Sequence, residues 1–517
     1  MSGKLALLVL ESDVEIHQAV GMNATLSVAS IPAEQARRRP DRVALIDGAR
    51  RITFAELWLR ARAQAAALIG LGVRPGDRVA LMCPNVVDFP VAYYGILAAG
   101  AVVVPVHPLS TSAEAEYMLR DSAARLLLCH PVFAEAGHPA AAAVGLPCRA
   151  PDSLVAEPIA SFVSRQPADP AVVFYTSGTS GRPKGAELSH LNLVMNATVN
   201  AFDANDVRAD DVALGALPLS HVFSQTVSMN SIWRAGAALV LMPRFEPAEA
   251  IRLMVEHGVN TFHGVPTMYV RLISAARERT SLPRLRLCIS GGASLPQPVL
   301  EAFEETFGAR ILEGYGLSET SPTAAVNQPI FGSRVGTVGH PVWGVEVEIA
   351  DPALAERIAL LPAGQPGEVV IRGHNLFNGY TGNPDATAAV VVDGWFRTGD
   401  LGVKDTDGYL RIVDRIKEMI IRGGYNVYPS EVEAALLRHP GVAAVAVIGI
   451  PDEVFGEEIC AVVVPSGPIT AEDVLAFGRE HLAKHKSPRR VEFVAELPLG
   501  PSHKVMKRKL KEQFAAR

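Results

Sequence analysis

Short apolar runs alternate with stretches of helical period over the first two thirds of the chain. The runs at 43–46, 52–54, 78–82, 125–129, 238–242 and 285–290 read as buried strands. Helical stretches at 32–39 and 56–70 interleave with them, the second with an alanine-rich face. Strands separated by helices predict layered α/β structure with parallel sheets. The longest apolar stretch, 92–106, is broken by Gly95, Gly100 and Pro105. It falls short of the roughly 20 residues needed to span a bilayer and predicts a helix end followed by a buried strand.

Near Gly367 the texture changes to short strands and turns. A strand is predicted at 367–373 and turns at 393–396 and 405–408, which together suggest a small β subdomain. Asp414-Arg415-Ile416-Lys417 then leads into an apolar run and Gly423-Gly424. Beyond it come a helix at 429–437, strands at 442–450 and 461–464, a helix at 471–483 and a strand at 491–494. This pattern predicts a separate α/β unit starting near Lys417. Residues 1–25 read as a loose extension.

Composition narrows the function classes. The chain has 517 residues, too many for one ordinary core, and its formal net charge of −6 argues against nucleic acid as the main partner. Its five cysteines, Cys83, Cys129, Cys148, Cys288 and Cys460, form no C-x-x-C pair, which argues against a disulfide framework or zinc site and fits a reducing compartment. Residues 5–10 are too short an apolar run for a secretory core, and acidic residues follow. A soluble, cytoplasmic protein is expected.

The densest chemistry lies at 175–185, Tyr-Thr-Ser-Gly-Thr-Ser-Gly-Arg-Pro-Lys-Gly. Glycines let the backbone turn its N–H groups toward an anion, hydroxyls add donors, and a lysine adds a mobile positive charge. These are the parts of a polyphosphate cradle. The usual P-loop requires Gly-Lys-Ser/Thr, whereas Pro183 precedes Lys184 here and Gly185 follows it. A second dense segment is Glu313-Gly314-Tyr315-Gly316-Leu317-Ser318-Glu319-Thr320. Its tyrosine can stack on adenine, Ser318 can donate to a phosphate, and Glu319 can hold Mg²⁺ among phosphate oxygens. A third is Trp395-Phe396-Arg397-Thr398-Gly399-Asp400, where a carboxylate behind a glycine turn suits a grip on two ribose hydroxyls. Lys504, in the loop 498–504, can stand between a carboxylate and an α-phosphate, two groups whose repulsion otherwise amounts to several kcal/mol, on the order of 4 at an effective dielectric near 20.

Together these segments resemble the adenylate-forming superfamily, and within it the acyl-CoA synthetases, from about Ile31 to Leu510. The resemblance implies a large N-terminal domain of two sheets plus a β subdomain (1–413), a hinge (414–417, with Lys417 as pivot) and a small mobile α+β C-terminal domain (418–517). It implies that Thr176, Ser177, Gly178, Thr179, Ser180, Gly181 and Lys184 hold the β- and γ-phosphates. Glu313, Gly314, Tyr315, Gly316 and Ser318 would hold adenine and the α-phosphate, with Gly292 and Ala293 nearby. Asp400 and Arg415 would hold the ribose, Thr179 and Glu319 the Mg²⁺, and Lys504 would be the adenylation lysine. Gly423 and Gly424 would line the coenzyme A channel after the C-terminal domain rotates.

Pro218-Leu219-Ser220-His221-Val222-Phe223 resembles the family's motif at the mouth of the acyl pocket, with His221 as gate or acyl contact. Phe223, Val265, Gly291 and Gly316 would line that pocket. No aspartate lies between Pro218 and Gln225 to pair with an ammonium, which favours a plain carboxylic acid. The apolar character of Val222, Phe223 and Val265 points first to medium- or long-chain fatty acids and second to aryl acids such as cinnamates. The expected reaction makes acyl-AMP from ATP and then acyl-CoA. Alternatives are an acyl- or aryl-AMP ligase loading a carrier-protein thiol, a nucleotide sensor without turnover, and a luciferase-like oxygenase. The short span from Gly344 to Gly367 favours coenzyme A over a carrier protein, and Lys184, Glu319, Asp400 and Lys504 are all present, as turnover requires. One departure from the family pattern is His503, where the family usually has glycine.

Overall fold

A computed structural model of the chain describes residues 24–176, 182–500 and 505–514. Two large sheets carry the N-terminal part. The first runs, in spatial order, Gly379–Tyr380, Lys184–Ser189, Pro170–Thr176, Val102–Pro105, Arg78–Met82, Leu126–Cys129 and Cys148–Arg149. The second begins with His340–Pro341, Thr323–Val326, Ile311–Gly316, Leu287–Ser290 and Thr261–Gly264, and continues through Val212–Gly215, Ala238–Leu241, Val43–Asp47 and Arg50–Thr53. The central strands of both sheets pair in parallel and bury both faces, which explains why they read as continuous apolar runs. The helix Asp88–Ala98 followed by the strand Val102–Pro105 accounts for the long apolar stretch.

The largest core lies between the sheets. Tyr93, Tyr94 and Trp233 are fully buried there, with the Trp233 indole N–H donating to the Ala44 carbonyl at 2.8 Å. Helices enter this layer from capped starts. Thr53 and Glu56 form a reciprocal capping box before Phe54–Gly70, and Ser189 and Asn192 do so before His190–Val199. Each such cap stabilises its helix by about 1 kcal/mol.

The β subdomain is an antiparallel sheet of Val345–Ala350, Gly367–Gly373, Trp395–Lys404 and Val391–Val392, with Leu410–Arg415 beside Trp395–Lys404. The turn expected at 393–396 is tighter than that. Asp393 and Gly394 turn with positive φ, and Trp395 already begins the strand because its indole is buried against Val370 and Ala350. The last sheet contains Tyr425–Val427, Ile420–Arg422, Gly456–Pro465, Val442–Asp452 and Arg490–Phe493 around its own core of Val447, Ile459, Ala461 and Val474. Among the described residues no helix is long and apolar enough to cross a membrane.

Candidate active site

The parallel strands Val212–Gly215, Thr261–Gly264, Leu287–Ser290 and Ile311–Gly316 end on one edge. In open α/β sheets that edge is where ligands bind. The loops leaving it carry 216–223, 265–267, 291–293 and 317–320, segments singled out from sequence.

The glycine-rich loop spans a hairpin. Thr176 pairs with Lys184 across antiparallel strands, so the loop joins two strands and not a strand and a helix, which separates it structurally from the P-loop. Ser177, Gly178, Thr179, Ser180 and Gly181 lie outside the described residues. Its base is fixed by Tyr175, the first residue of the motif, and by Asp121 and Tyr117, which sequence reasoning missed. The Tyr175 hydroxyl donates to Asp121 at 2.7 Å, and the Tyr117 hydroxyl donates to the Pro183 carbonyl at 2.9 Å.

Lys184 emerges from this hairpin with its ammonium 5.0 Å from the centre of the Tyr380 ring. The Tyr380 hydroxyl in turn donates to Glu319 Oε1 at 2.8 Å. Tyr380, also missed from sequence, thus links the phosphate-loop lysine to the carboxylate expected to hold magnesium. Burial and the Glu319 charge push its phenol well above the usual range. Ser318 and Glu319 sit on a single 3₁₀ turn, Ser318–Thr320, and Glu319 is 7% exposed. One carboxylate next to a phosphate loop is the donor set Mg²⁺ takes, since that ion fills its remaining positions with phosphate oxygens and water. Thr179, the other expected ligand, lies outside the described residues.

Tyr315, Asp400 and Arg415 form a second cluster. The Tyr315 hydroxyl donates to Asp400 Oδ2 at 2.6 Å, and Arg415 Nε lies 3.1 Å from Asp400 Oδ1. Asp400 and Arg415 are direct partners across adjacent strands, which is why residues 15 apart in sequence meet. Desolvation and the Asp400 charge hold the Tyr315 phenol well above its ordinary value. The loop that presents Asp400 is braced by a buried ion pair. Glu368 accepts from Arg397 Nε at 2.8 Å and from the Gly399 amide at 2.9 Å, and Gly399 itself has φ +71°.

Glu313 faces protein backbone. Its carboxylate accepts from the Leu295 amide at 3.1 Å and so ties strand Ile311–Gly316 to the loop holding Gly292, at φ +83°, and Ala293. Burial raises its pKa to about 7. A Cβ on Gly316 would collide with the Pro322 carbonyl oxygen, so this glycine lets two backbones close up. One on Gly314 would sit 3.5 Å from Val326, in ordinary contact.

At the expected acyl mouth, the Phe223 amide donates to His221 Nδ1 at 3.3 Å, so a neutral His221 carries its proton on Nε2. A Cβ on Gly291 would lie 3.3 Å from the Phe223 ring, which shows how closely that ring covers the glycine loop. Val222 and Val265, by contrast, are packed in the cores at 1% and 5% exposure. Lys417 lies in the turn between Leu410–Arg415 and Ile420–Arg422. Gly423 and Gly424 make the positive-φ turn of the next hairpin. His503 and Lys504 lie outside the described residues.

Comparison with known sequences bears on this geometry directly. The profile of the AMP-binding enzyme family matches residues 32–381, and that of the AMP-binding enzyme C-terminal domain matches 431–504. The chain belongs to the AMP-binding enzyme family. Its curated relatives include a feruloyl-CoA synthase from Amycolatopsis sp, 37% identical over 94% of this chain and 99% of the relative. They also include a long-chain-fatty-acid–CoA ligase from Bacillus subtilis (strain 168), 32% identical over 96% of each. Among solved structures, ATP-bound MatB from Rhodopseudomonas palustris superposes with a TM-score of 0.86 at 34% identity, covering 94% of this chain and 99% of that one. As an AMP-binding enzyme of this kind the chain is an AMP-forming acid–thiol ligase, and its co-substrates are ATP with Mg²⁺ and coenzyme A.

Proposed function

We propose that the chain activates an aryl carboxylic acid as its acyl-AMP and transfers the acyl group to coenzyme A. The observation that carries the reading is the bonding of three distant segments into one site. Lys184 and Glu319 meet through Tyr380, and Asp400 meets Tyr315 and Arg415. In this reading Lys184 steadies the β- and γ-phosphates, Asp400 and Arg415 grip the ribose, and the Tyr315 ring flanks the base. Glu319 would hold magnesium, which when bound spreads the negative charge of the triphosphate. The acid carboxylate attacks the α-phosphorus, pyrophosphate leaves, and Lys504 neutralises the charge between the two approaching anions. A thiolate then attacks the acyl carbon and AMP departs. Rotation about 414–417 would take Lys504 out and bring Gly423-Gly424 in, so one domain motion serves both steps.

An aryl acid is favoured over a long alkyl chain by the mouth of the pocket. Two of the apolar residues that suggested a fatty acid, Val222 and Val265, are packed in the cores. The remaining one, Phe223, packs close on the glycine loop, where a Cβ on Gly291 would lie 3.3 Å from its ring, and offers an aromatic wall that a substrate ring can pair with. The feruloyl-CoA synthase relative supports the same choice. The experiment is acyl-CoA formation from ATP, coenzyme A and a panel of benzoic, cinnamic and C6–C16 alkyl acids. Highest kcat/KM on an aryl acid is expected. Highest kcat/KM on a long alkyl acid would refute that choice, and thioester formation only on a carrier protein would refute the acceptor.

A further inference from the structure

Lys184 and Glu319 carry opposite charges in one site, yet among the described residues no ion pair joins them or engages either one. Both are held by the same neutral side chain. The Lys184 ammonium lies 5.0 Å from the centre of the Tyr380 ring, and the Tyr380 hydroxyl donates to Glu319 Oε1 at 2.8 Å. The fold sets that ring from three sides. Tyr380 pairs with Ala186 across antiparallel strands, which puts it on the strand face that also carries Lys184, two residues before Ala186. Its amide donates to Thr387 Oγ1 at 2.9 Å, and its ring meets Phe377 edge-on at 4.9 Å. The Phe377 amide in turn donates to the Glu319 carbonyl at 2.9 Å, so the backbone of Glu319 is tied to the support of the ring.

We propose that Tyr380 is a positioning residue for nucleotide binding that acts on both charges at once. Its ring holds the Lys184 ammonium and keeps it from closing on Glu319 as an ion pair. Such a pair would take the phosphate partner and the metal ligand out of use together. Its hydroxyl fixes Oε1 of Glu319. Among the described residues Oε2 makes no hydrogen bond, so that oxygen is left for a cation. A phenylalanine could perform the first task and not the second, and an aliphatic residue could perform neither. This rests on Glu319 as the magnesium ligand in the ligase reading above, and it adds the residue that sets that carboxylate.

The test uses the full chain, with Mn²⁺ as a paramagnetic stand-in for Mg²⁺ and α,β-methylene-ATP as a nucleotide that cannot turn over. Bound Mn²⁺ is read by electron paramagnetic resonance, and metal-free nucleotide affinity by calorimetry in EDTA. Tyr380→Phe should raise the Mn²⁺ dissociation constant about tenfold or more, as loss of a partner behind a ligating carboxylate does, and should leave metal-free nucleotide affinity within about twofold. Tyr380→Leu should weaken both. Adding Glu319→Gln to Tyr380→Leu should restore metal-free nucleotide affinity, because a neutral amide no longer captures Lys184; a merely structural role for the ring gives no such rescue. In pyrophosphate exchange by Tyr380→Phe, the loss should fall on the KM for Mg·ATP more than on kcat. Wild-type Mn²⁺ affinity in Tyr380→Phe, or no rescue in the double variant, would overturn the proposal while leaving acid activation standing. Should Tyr380→Leu not fold, the Tyr380→Phe result decides, since that variant keeps the ring and its packing on Phe377. No nucleotide binding by wild type with Mn²⁺ would overturn the ligase reading, and this proposal with it.

Discussion

Glu313 is a buried carboxyl group within the strand Ile311–Gly316, with backbone donors at Leu295 and Gly336. Its pKa of about 7 lies above its unfolded value of 4.5, so folding favours the protonated form. The stability this group contributes is full below pH 4.5, falls as pH rises from 4.5 to 7, and is level above that. Glu313→Gln removes the slope while keeping an acceptor for the Leu295 amide. Between pH 5 and pH 8 the variant should therefore gain about 1–3 kcal/mol relative to wild type in urea unfolding. Equal differences at the two pH values would contradict the assignment. Gly316 makes the complementary point about space. Gly316→Ala pushes a methyl group into the Pro322 carbonyl, backbone that cannot swing aside, and should cost about 3 kcal/mol, read as a lowered unfolding midpoint. Lys184, Glu319 and Asp400 stood out in the sequence as residue types in dense motifs, but Tyr380, which bridges Lys184 and Glu319, did not. Tyr380 meets Glu319 from 61 residues away, and a lone tyrosine carries no local signal of such a partner.

At the scale of elements, the parallel strands were legible because burial on both faces leaves an unbroken apolar run. Arg78–Met82 and Gly367–Gly373 appear where the pattern puts them. The segment Ser224–Asn230 was not legible. It is buried yet rich in serine, threonine and asparagine, so it shows neither a polar face nor a helical period. Its order comes from tertiary bonds such as Asn230 to Tyr94 and Ser224 to the Leu217 carbonyl. The brace behind Asp400 was hidden for a related reason. Arg397 finds Glu368 across two antiparallel strands, 29 residues away, and the motif containing Arg397 shows only one half of the pair.

At the scale of the whole molecule, the joint at 413–414 is tied to the following unit through Ser430, whose amide donates to Asp414 at 2.9 Å and whose hydroxyl donates to the Val413 carbonyl at 2.6 Å. These contacts would have to exchange if the unit rotates between the two half-reactions. Two half-reactions separated by motion should also separate in a variant. Lys504→Ala should lower acyl-AMP formation by about a hundredfold or more, as loss of a transition-state charge partner does, while thioester formation from supplied acyl-AMP persists. Equal loss in both would contradict the alternation.

The central claim is that ATP and an organic acid lie side by side so that a carboxylate oxygen reaches the α-phosphorus. Exchange of labelled pyrophosphate into ATP, with magnesium and without coenzyme A, isolates that step. We expect exchange that depends on the added acid and is strongest with aryl acids. No exchange with any acid would contradict the account.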